Sequence, residues 1–465
     1  MLSPHIFRAY DIRGIYGTDF DETGAKQIAV AYAEYLREKN PHKHFFTVAL
    51  GRDGRTSGKT LEDAFAEGLL ESGMDIVRVG MVTSPLLYFA TCAGGYDGGV
   101  MITASHNPAA YNGFKLQTLG SKAVCGDELQ AILEMITGER EEGEEKALAP
   151  YERGTEEMVN FTEDYFAVLK EITHFPKTGK LAIDAGNGIA GQYAPEFFRR
   201  AGFTVEELYC EVDGNFPHHE ADPEREENLR DLKKFVVENG CDLGLAFDGD
   251  GDRVGVVDKN GNHFSADLLL LLLARDMLQR NEGATVVYDL KATELLKEEI
   301  ENWGGKAVMC KTGHSFVEEK MEETEAILGG EVSGHIFIAE KYFGFDDALL
   351  AAAKLVEIAF ASEKTFTEIF AELPKTFVTP EIKIAVTESK KFEAITRIVE
   401  KLKTQYPEAL TIDGIRIDFG GGAWGIVRAS NTSPYLTTRF EARSPEKLEE
   451  IQKIINAVVQ AEVTK

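Results

Sequence analysis

Ser105 and the aspartates Asp248, Asp250 and Asp252 are the residues of this 465-residue chain whose types and spacing most directly permit chemistry. Ser105 lies in Thr103-Ala104-Ser105-His106-Asn107-Pro108, a tight Asn-Pro turn at the end of the apolar strand Val100 to Ala104. Strand ends are where α/β folds build their sites. The aspartates alternate with glycine in Asp248-Gly249-Asp250-Gly251-Asp252-Arg253. In an extended loop that alternation throws all three carboxylates to one side, where a hard divalent cation such as Mg²⁺ can sit. An EF-hand calcium loop needs glycine at its sixth position and glutamate at its twelfth, and here these are Arg253 and Lys259. The calcium reading fails. A serine nucleophile beside an all-oxygen metal site points to phosphoryl transfer through a covalent phosphoserine.

Other residues could serve the same chemistry. Lys115, after Asn112-Gly113-Phe114, is expected to reach back toward the serine loop, where a cation could protonate a substrate oxygen or lower its pKa. Arg253 beside the carboxylates can bind phosphate as a fork. In Gly330-Glu331-Val332-Ser333-Gly334-His335, Glu331 and Ser333 flank one residue and suit vicinal sugar hydroxyls. Lys311 and His314, in Lys311-Thr312-Gly313-His314-Ser315, add a cation and an imidazole. Arg428, Ser430, Asn431 and Thr432 offer several donors to one anion, and Arg13 is a further candidate cation.

These loops need elements to hold them, and one unit recurs three times. Each copy opens on a strand and a Gly- or Asp-containing turn: Thr47 to Gly51, Leu181 to Gly186, Thr285 to Asp289. A second strand follows near Asp75 to Gly80, Gly202 to Leu208 and Gly305 to Cys310. A third strand then feeds Ser105, the aspartates or Glu331. Strands alternating with helices imply parallel α/β sheets. The chain is therefore read as three similar α/β domains with mixed sheets (1–152, 153–253 and 254–370) and a smaller C-terminal α+β domain, 371–465. The acidic stretch Glu139 to Lys146 reads as a linker or surface loop.

Composition narrows the class. A net charge of -28 argues against nucleic acid and anionic membranes as partners. Five scattered cysteines without a C-x-x-C pair argue against disulfides and zinc, and for a reducing compartment. The amino terminus lacks the apolar core of a signal peptide, and the longest apolar run, Leu268 to Ala274, reads as a buried helix. The expected location is the cytoplasm.

Taken in order, Thr103 to Pro108, Asp248 to Arg253, Gly330 to His335 and Arg428 to Thr432 resemble the four signatures of the α-D-phosphohexomutases. The likeness spans essentially the whole chain. It implies four domains around a central cleft, Mg²⁺ held by Asp248, Asp250, Asp252 and phosphorylated Ser105, and a hexose 1,6-bisphosphate as intermediate and activator. It implies sugar-hydroxyl contacts from Glu331 and Ser333, and a cradle for the non-reacting phosphate from Arg428, Ser430, Asn431 and Thr432. Arg253 would contact the phosphoserine, while Arg13, Lys115, His314 and His335 would assist proton transfer and electrostatics.

The Glu331-Val332-Ser333 loop and the Arg-Ala-Ser-Asn-Thr cradle resemble the phosphomannomutase/phosphoglucomutase branch. Phosphoglucosamine mutases, the alternative, typically carry Gln between Glu and Ser. Val332 stands where bifunctional bacterial enzymes commonly have Met, so mannose and glucose both stay open, as does the oligomeric state. The activity implied is interconversion of hexose 1-phosphate and 6-phosphate. A metal-dependent phosphatase and a silent sugar-phosphate sensor are the rival readings.

Overall fold

A computed structural model describes residues 2–138, 152–430 and 435–463. The acidic stretch from Glu139 to Lys146 lies outside the described residues, as do Asn431 and Thr432.

The recurring unit is visible in strand order. Thr47–Arg52 lies between Asp75–Met81 and Gly98–Ile102, parallel to both. Lys180–Asp184 lies between Thr204–Leu208 and Leu243–Phe247 in the same way. Thr285–Asp289 repeats the arrangement with Lys306–Cys310 and Leu328–Gly330. In each case the third strand leads directly into a candidate loop: Ser105, the aspartates or Glu331. Antiparallel strands then make the first two sheets mixed. Tyr111–Thr118 pairs with Gly98–Ile102, and Val254–Asp258 with Leu243–Phe247. Gly98–Ile102, Leu243–Phe247 and Thr285–Asp289 are buried along their whole length and largely apolar, as parallel strands covered by helices require.

The chain forms two compact units. The first holds Met1–Phe264 and Ser333–Glu363, the second Ser265–Val332 and Lys364–Lys465. The second sheet runs on past residue 253 through Val254–Asp258 to His263–Phe264. Within the first unit, the helix Ala348–Ala361 is capped by Asp347, whose carboxylate accepts from Leu350 N (2.9 Å) and from the Tyr165 hydroxyl (2.9 Å). Phe360 on the same helix packs edge-on to Phe203.

Within the second unit, Ile415–Gly420, Ala423–Ala429 and Tyr435–Ala442 form an antiparallel sheet, backed by the helices Glu388–Gln405 and Pro445–Val463. Ser444 caps the last helix, accepting from Lys447 N, and Pro445 occupies its first turn. Arg416 joins this sheet to the loop after Thr285–Asp289. Its guanidinium stacks on Trp424 and donates to Ala292 O (3.1 Å) and Glu294 (2.7 Å). Among the described residues, no helix is long and apolar enough to cross a membrane.

Candidate active site

Ser105 is buried and adopts a left-handed backbone, φ +48°, a conformation that costs a non-glycine residue about 1–3 kcal/mol and needs fixed surroundings. Its N–H donates to Thr103 Oγ1 (2.8 Å), and its hydroxyl donates to Asp248 Oδ2 (2.7 Å). His106 Nδ1 lies 3.1 Å from the same hydroxyl. Burial, with Arg253 and Arg13 nearby, pushes the His106 imidazole well below its ordinary pKa and keeps it neutral. Arg13 donates to Asn107 Oδ1 (2.8 Å) and pairs with Asp11, so the expected cation does stand at this loop.

The aspartate loop is not extended. It is a tight turn folded onto one atom, with Gly251 N, Asp252 N and Arg253 N all directed at Asp248 Oδ1 (3.0, 3.1 and 3.2 Å). Gly251 supplies the positive φ (+75°) the turn needs. The three carboxylates converge nonetheless: one oxygen from each lies within 4.8 Å of the others, and all three residues are fully buried. Convergence comes from the turn, not from alternation along a strand.

This cluster fits a hard cation on its own atoms. Among the described residues Asp250 Oδ1 is buried without a hydrogen-bond partner, and Asp252 Oδ1 has only the His335 ring nitrogen 3.3 Å away, a state that costs free energy unless something positive meets them. The partners of Lys115 are the aspartates. Its ammonium lies 2.7 Å from Asp250 Oδ2 and also pairs with Asp252. Ser84 donates to Asp250 as well (2.6 Å). Burial drives the Asp248 carboxyl well above its ordinary pKa, helped by the neighbouring Asp252 and Asp250. Burial also pushes Asp252 up, yet Lys115, His335 and Arg253 outweigh it and hold that carboxyl well below the usual range. Burial works against the Lys115 charge, but Asp250 and Asp252 overcome it and keep the ammonium protonated.

His335 and Asp346 complete the surroundings. His335 Nε2 lies 3.2 Å from Arg253 Nε, 3.3 Å from Asp252 Oδ1 and 3.7 Å from Asp346 Oδ2. Ser333 Oγ lies 3.1 Å from the other ring nitrogen. Asp252, His335 and Asp346 thus form a second close group of potential ligands. Burial and the Asp252 charge push the Asp346 carboxyl up to about 7.

In the second unit, the Glu331 carboxylate accepts from Gly313 N (2.6 Å) and is buried. Asp289 Oδ2 accepts from Thr312 Oγ1 (3.3 Å), tying the Lys311–Gly313 turn to the same strand end. Lys311 stands over the Phe316 ring, and His314 opens the helix His314–Thr324. Arg428 is the next-to-last residue of the strand Ala423–Ala429, its Nε donating to Asp413 (2.8 Å), and Ser430 is buried just past the strand's end.

Four residues here escaped sequence reasoning. His106 carries no assignable role from its turn alone, yet its Nδ1 stands 3.1 Å from Ser105 Oγ. Asp346 and Ser84 carry no local motif and reach the cluster only through folding. Arg55, in Gly51-Arg52-Asp53-Gly54-Arg55, belongs to none of the motifs above and is wholly buried against the serine loop.

Comparison with known proteins follows the same order. Residues 4–143, 163–261 and 265–377 match models of phosphoglucomutase/phosphomannomutase alpha/beta/alpha domains I, II and III, and residues 381–458 match the C-terminal domain of that family. The chain is 43% identical to a phosphomannomutase/phosphoglucomutase of Pseudomonas aeruginosa, with 99% of this chain and 96% of that protein covered. It is 42% identical to a phosphoglucomutase of Neisseria gonorrhoeae, covering 99% and 98%. A crystal structure of a phosphoglucomutase/phosphomannomutase family protein from Burkholderia thailandensis superposes with a TM-score of 0.90 at 36% identity, covering 99% and 98%.

Proposed function

Since the chain belongs to the phosphoglucomutase/phosphomannomutase family, we propose that it interconverts hexose 1-phosphates and hexose 6-phosphates, with Ser105 carrying the phosphoryl group. The observation that carries this reading is the 2.7 Å contact between Ser105 Oγ and Asp248 at the edge of a buried three-carboxylate cluster. A hydroxyl held against an oxygen-rich cation site is the arrangement a phosphoserine requires.

Asp248, Asp250 and Asp252 are the residues that would hold Mg²⁺, with phosphorylated Ser105. A bound divalent cation supplies charge neutralisation at the phosphoryl oxygens. The remaining work falls to the chain itself. Arg253 and Arg13 bring fixed positive charge to the phosphoryl group on Ser105. In the forward step the Oγ–P bond breaks and a bond forms from phosphorus to the free O1 or O6 of the sugar phosphate. The displaced hydroxyl proton needs a base. Lys115 is held protonated by two carboxylates and acts as a cation, so His335 is assigned to take the proton. The resulting hexose 1,6-bisphosphate turns over and returns its other phosphate to Ser105, which is also how added bisphosphate would activate the enzyme.

Glu331 and Ser333 are assigned to sugar hydroxyls. Arg428, Ser430, Asn431 and Thr432 are assigned to the non-reacting phosphate, with Lys311 and His314 as supporting charge and imidazole. Each of the four segments carries one of these loops, the second running through the strand His263–Phe264 rather than stopping at 253, and the third starting after it. Glucose and mannose phosphates are the proposed substrates and the cytoplasm the proposed location.

A ³¹P NMR time course with Mg²⁺ and a trace of glucose 1,6-bisphosphate tests the reading. Mannose 1-phosphate, glucose 1-phosphate and glucosamine 1-phosphate are supplied separately. Appearance of a 6-phosphate is expected with the first two. Inorganic phosphate alone would make the protein a phosphatase, and a preference for glucosamine would make it the amino-sugar mutase. Ser105→Ala should abolish turnover while keeping sugar-phosphate binding; full activity in that variant would remove Ser105 from its role.

A further inference from the structure

The turn Asp53-Gly54-Arg55 follows the central strand Thr47–Arg52, and both of its ionic side chains are completely buried. A buried charge is tolerated only when its hydrogen bonds are filled. Arg55 fills all of its donors. Nε donates to Asp53 Oδ2 (3.1 Å). One terminal nitrogen donates to Pro108 O and Tyr111 O (both 2.9 Å), the other to Ser105 O and Asn107 O (both 2.6 Å). The Phe216 ring covers the guanidinium at 5.1 Å.

Asp53 holds the other side of the same loop. It accepts from Arg55 N (3.0 Å) and from Thr103 Oγ1 (2.7 Å), and Thr103 Oγ1 in turn accepts from Ser105 N. Both main-chain polar groups of Ser105 therefore end on one Asp–Arg pair. That matters because Ser105 sits at φ +48°, which persists only where the surroundings over-determine it.

We infer that Arg55, working with Asp53 through Thr103, is a positioning residue that fixes the left-handed backbone of Ser105 and so aims its Oγ for phosphoryl transfer. The inference rests on the reading of Ser105 as phosphoryl carrier. A planar fork is essential to it: four carbonyls and one carboxylate are met by one rigid guanidinium, which the three tetrahedral donors of lysine cannot reproduce. An arginine present only for stability would need these carbonyls no more than any others.

Arg55→Lys and Thr103→Val test this against wild type under mutase assay. The readouts are kcat, KM and the rate at which Ser105 takes a phosphoryl group from glucose 1,6-bisphosphate, followed by intact mass. Misplacing a reacting atom should lower kcat and the uptake rate about tenfold to a hundredfold, with KM changed less than about threefold. In Arg55→Ala, guanidinium ion in solution should restore part of kcat at unchanged KM, and methylammonium should not. Should Arg55→Ala fail to fold, Thr103→Val decides, because at nearly constant shape it removes the hydroxyl that accepts from Ser105 N–H and donates to Asp53, cutting the link between them.

Folded variants with wild-type kcat, or losses seen only in KM or thermal stability, would overturn the inference. Wild type without mutase turnover would instead overturn the functional reading, so the two failures are distinguishable.

Discussion

Lys115 Nζ lies 2.7 Å from Asp250 Oδ2 while also pairing with Asp252, so one ammonium is shared between two fully buried carboxylates. Asp248 adds a third carboxylate to the same cluster. A buried excess of negative charge is what a divalent cation balances, and Lys115 offsets only part of it.

Replacing Lys115 by methionine keeps the apolar stem and removes the charge. Stranding buried ions typically costs about 3–5 kcal/mol, so a clear fall in thermal midpoint is expected. Mg²⁺ should restore more of the midpoint in the variant than in wild type. Thermal melts in EDTA and in Mg²⁺ read both effects. Equal midpoints for the two proteins in EDTA would mean that Lys115 does not carry this balance.

Among the described residues, Asp250 Oδ1 and Asp252 Oδ1 are the two carboxylate oxygens of the aspartate loop without a hydrogen-bond partner. Asp250→Asn and Asp252→Asn should therefore weaken Mg²⁺ binding by at least about 10–100-fold, the loss that even outer-shell changes bring. Isothermal titration with Mg²⁺ checks this without an activity assay. Wild-type affinity in both variants would place the cation elsewhere.

Gly249 lets the aspartate turn lean on the serine loop. A Cβ there would come 2.4 Å from Ser105 O. Gly249→Ala must push the two loops apart, at an overpacking cost of about 1–3 kcal/mol. Mutase kcat should drop with the Ser105–Asp248 contact, and the urea midpoint should drop with it. A variant with wild-type kcat would show that the spacing of the loops is not limiting.

The parts of this site legible in the sequence are those fixed by local pattern. Strands ending in Ser105, the aspartates and Glu331 announce themselves by apolar runs that stop at small or acidic residues, and the structure places all three at the same position of a repeated sheet. What the sequence concealed depends on contacts distant in the chain. Asp248 folds its own turn by gathering three N–H groups, which the Asp-Gly alternation disguises as an extended strand. Arg55 has no motif of its own and is enclosed only by partners distant in the chain, the serine loop and Phe216. Lys115 lies on Tyr111–Thr118, directly beside the strand that feeds Ser105, and its ammonium is held by aspartates more than a hundred residues further along the chain.

His263 carries a prediction about acid stability that is independent of the site. It pairs with Val257 at the edge of the second sheet, and its ring is largely enclosed, with 18% of the side chain exposed. Burial pushes its pKa down to about 4; Glu226, 3.6 Å away, resists, and Lys233 adds to the fall. The unfolded chain binds this proton near the ordinary 6.5, so the folded state favours the neutral ring. The stabilisation is complete above about pH 6.5 and is lost as pH falls toward 4. At 1.36 kcal/mol per pKa unit the whole effect is at most about 3 kcal/mol. His263→Gln removes the titration while keeping a polar side chain. Urea midpoints of the two proteins should therefore converge between pH 6.5 and 4.5, wild type losing more than the variant. A difference that stays constant across that window would mean His263 titrates alike in the folded and unfolded chain.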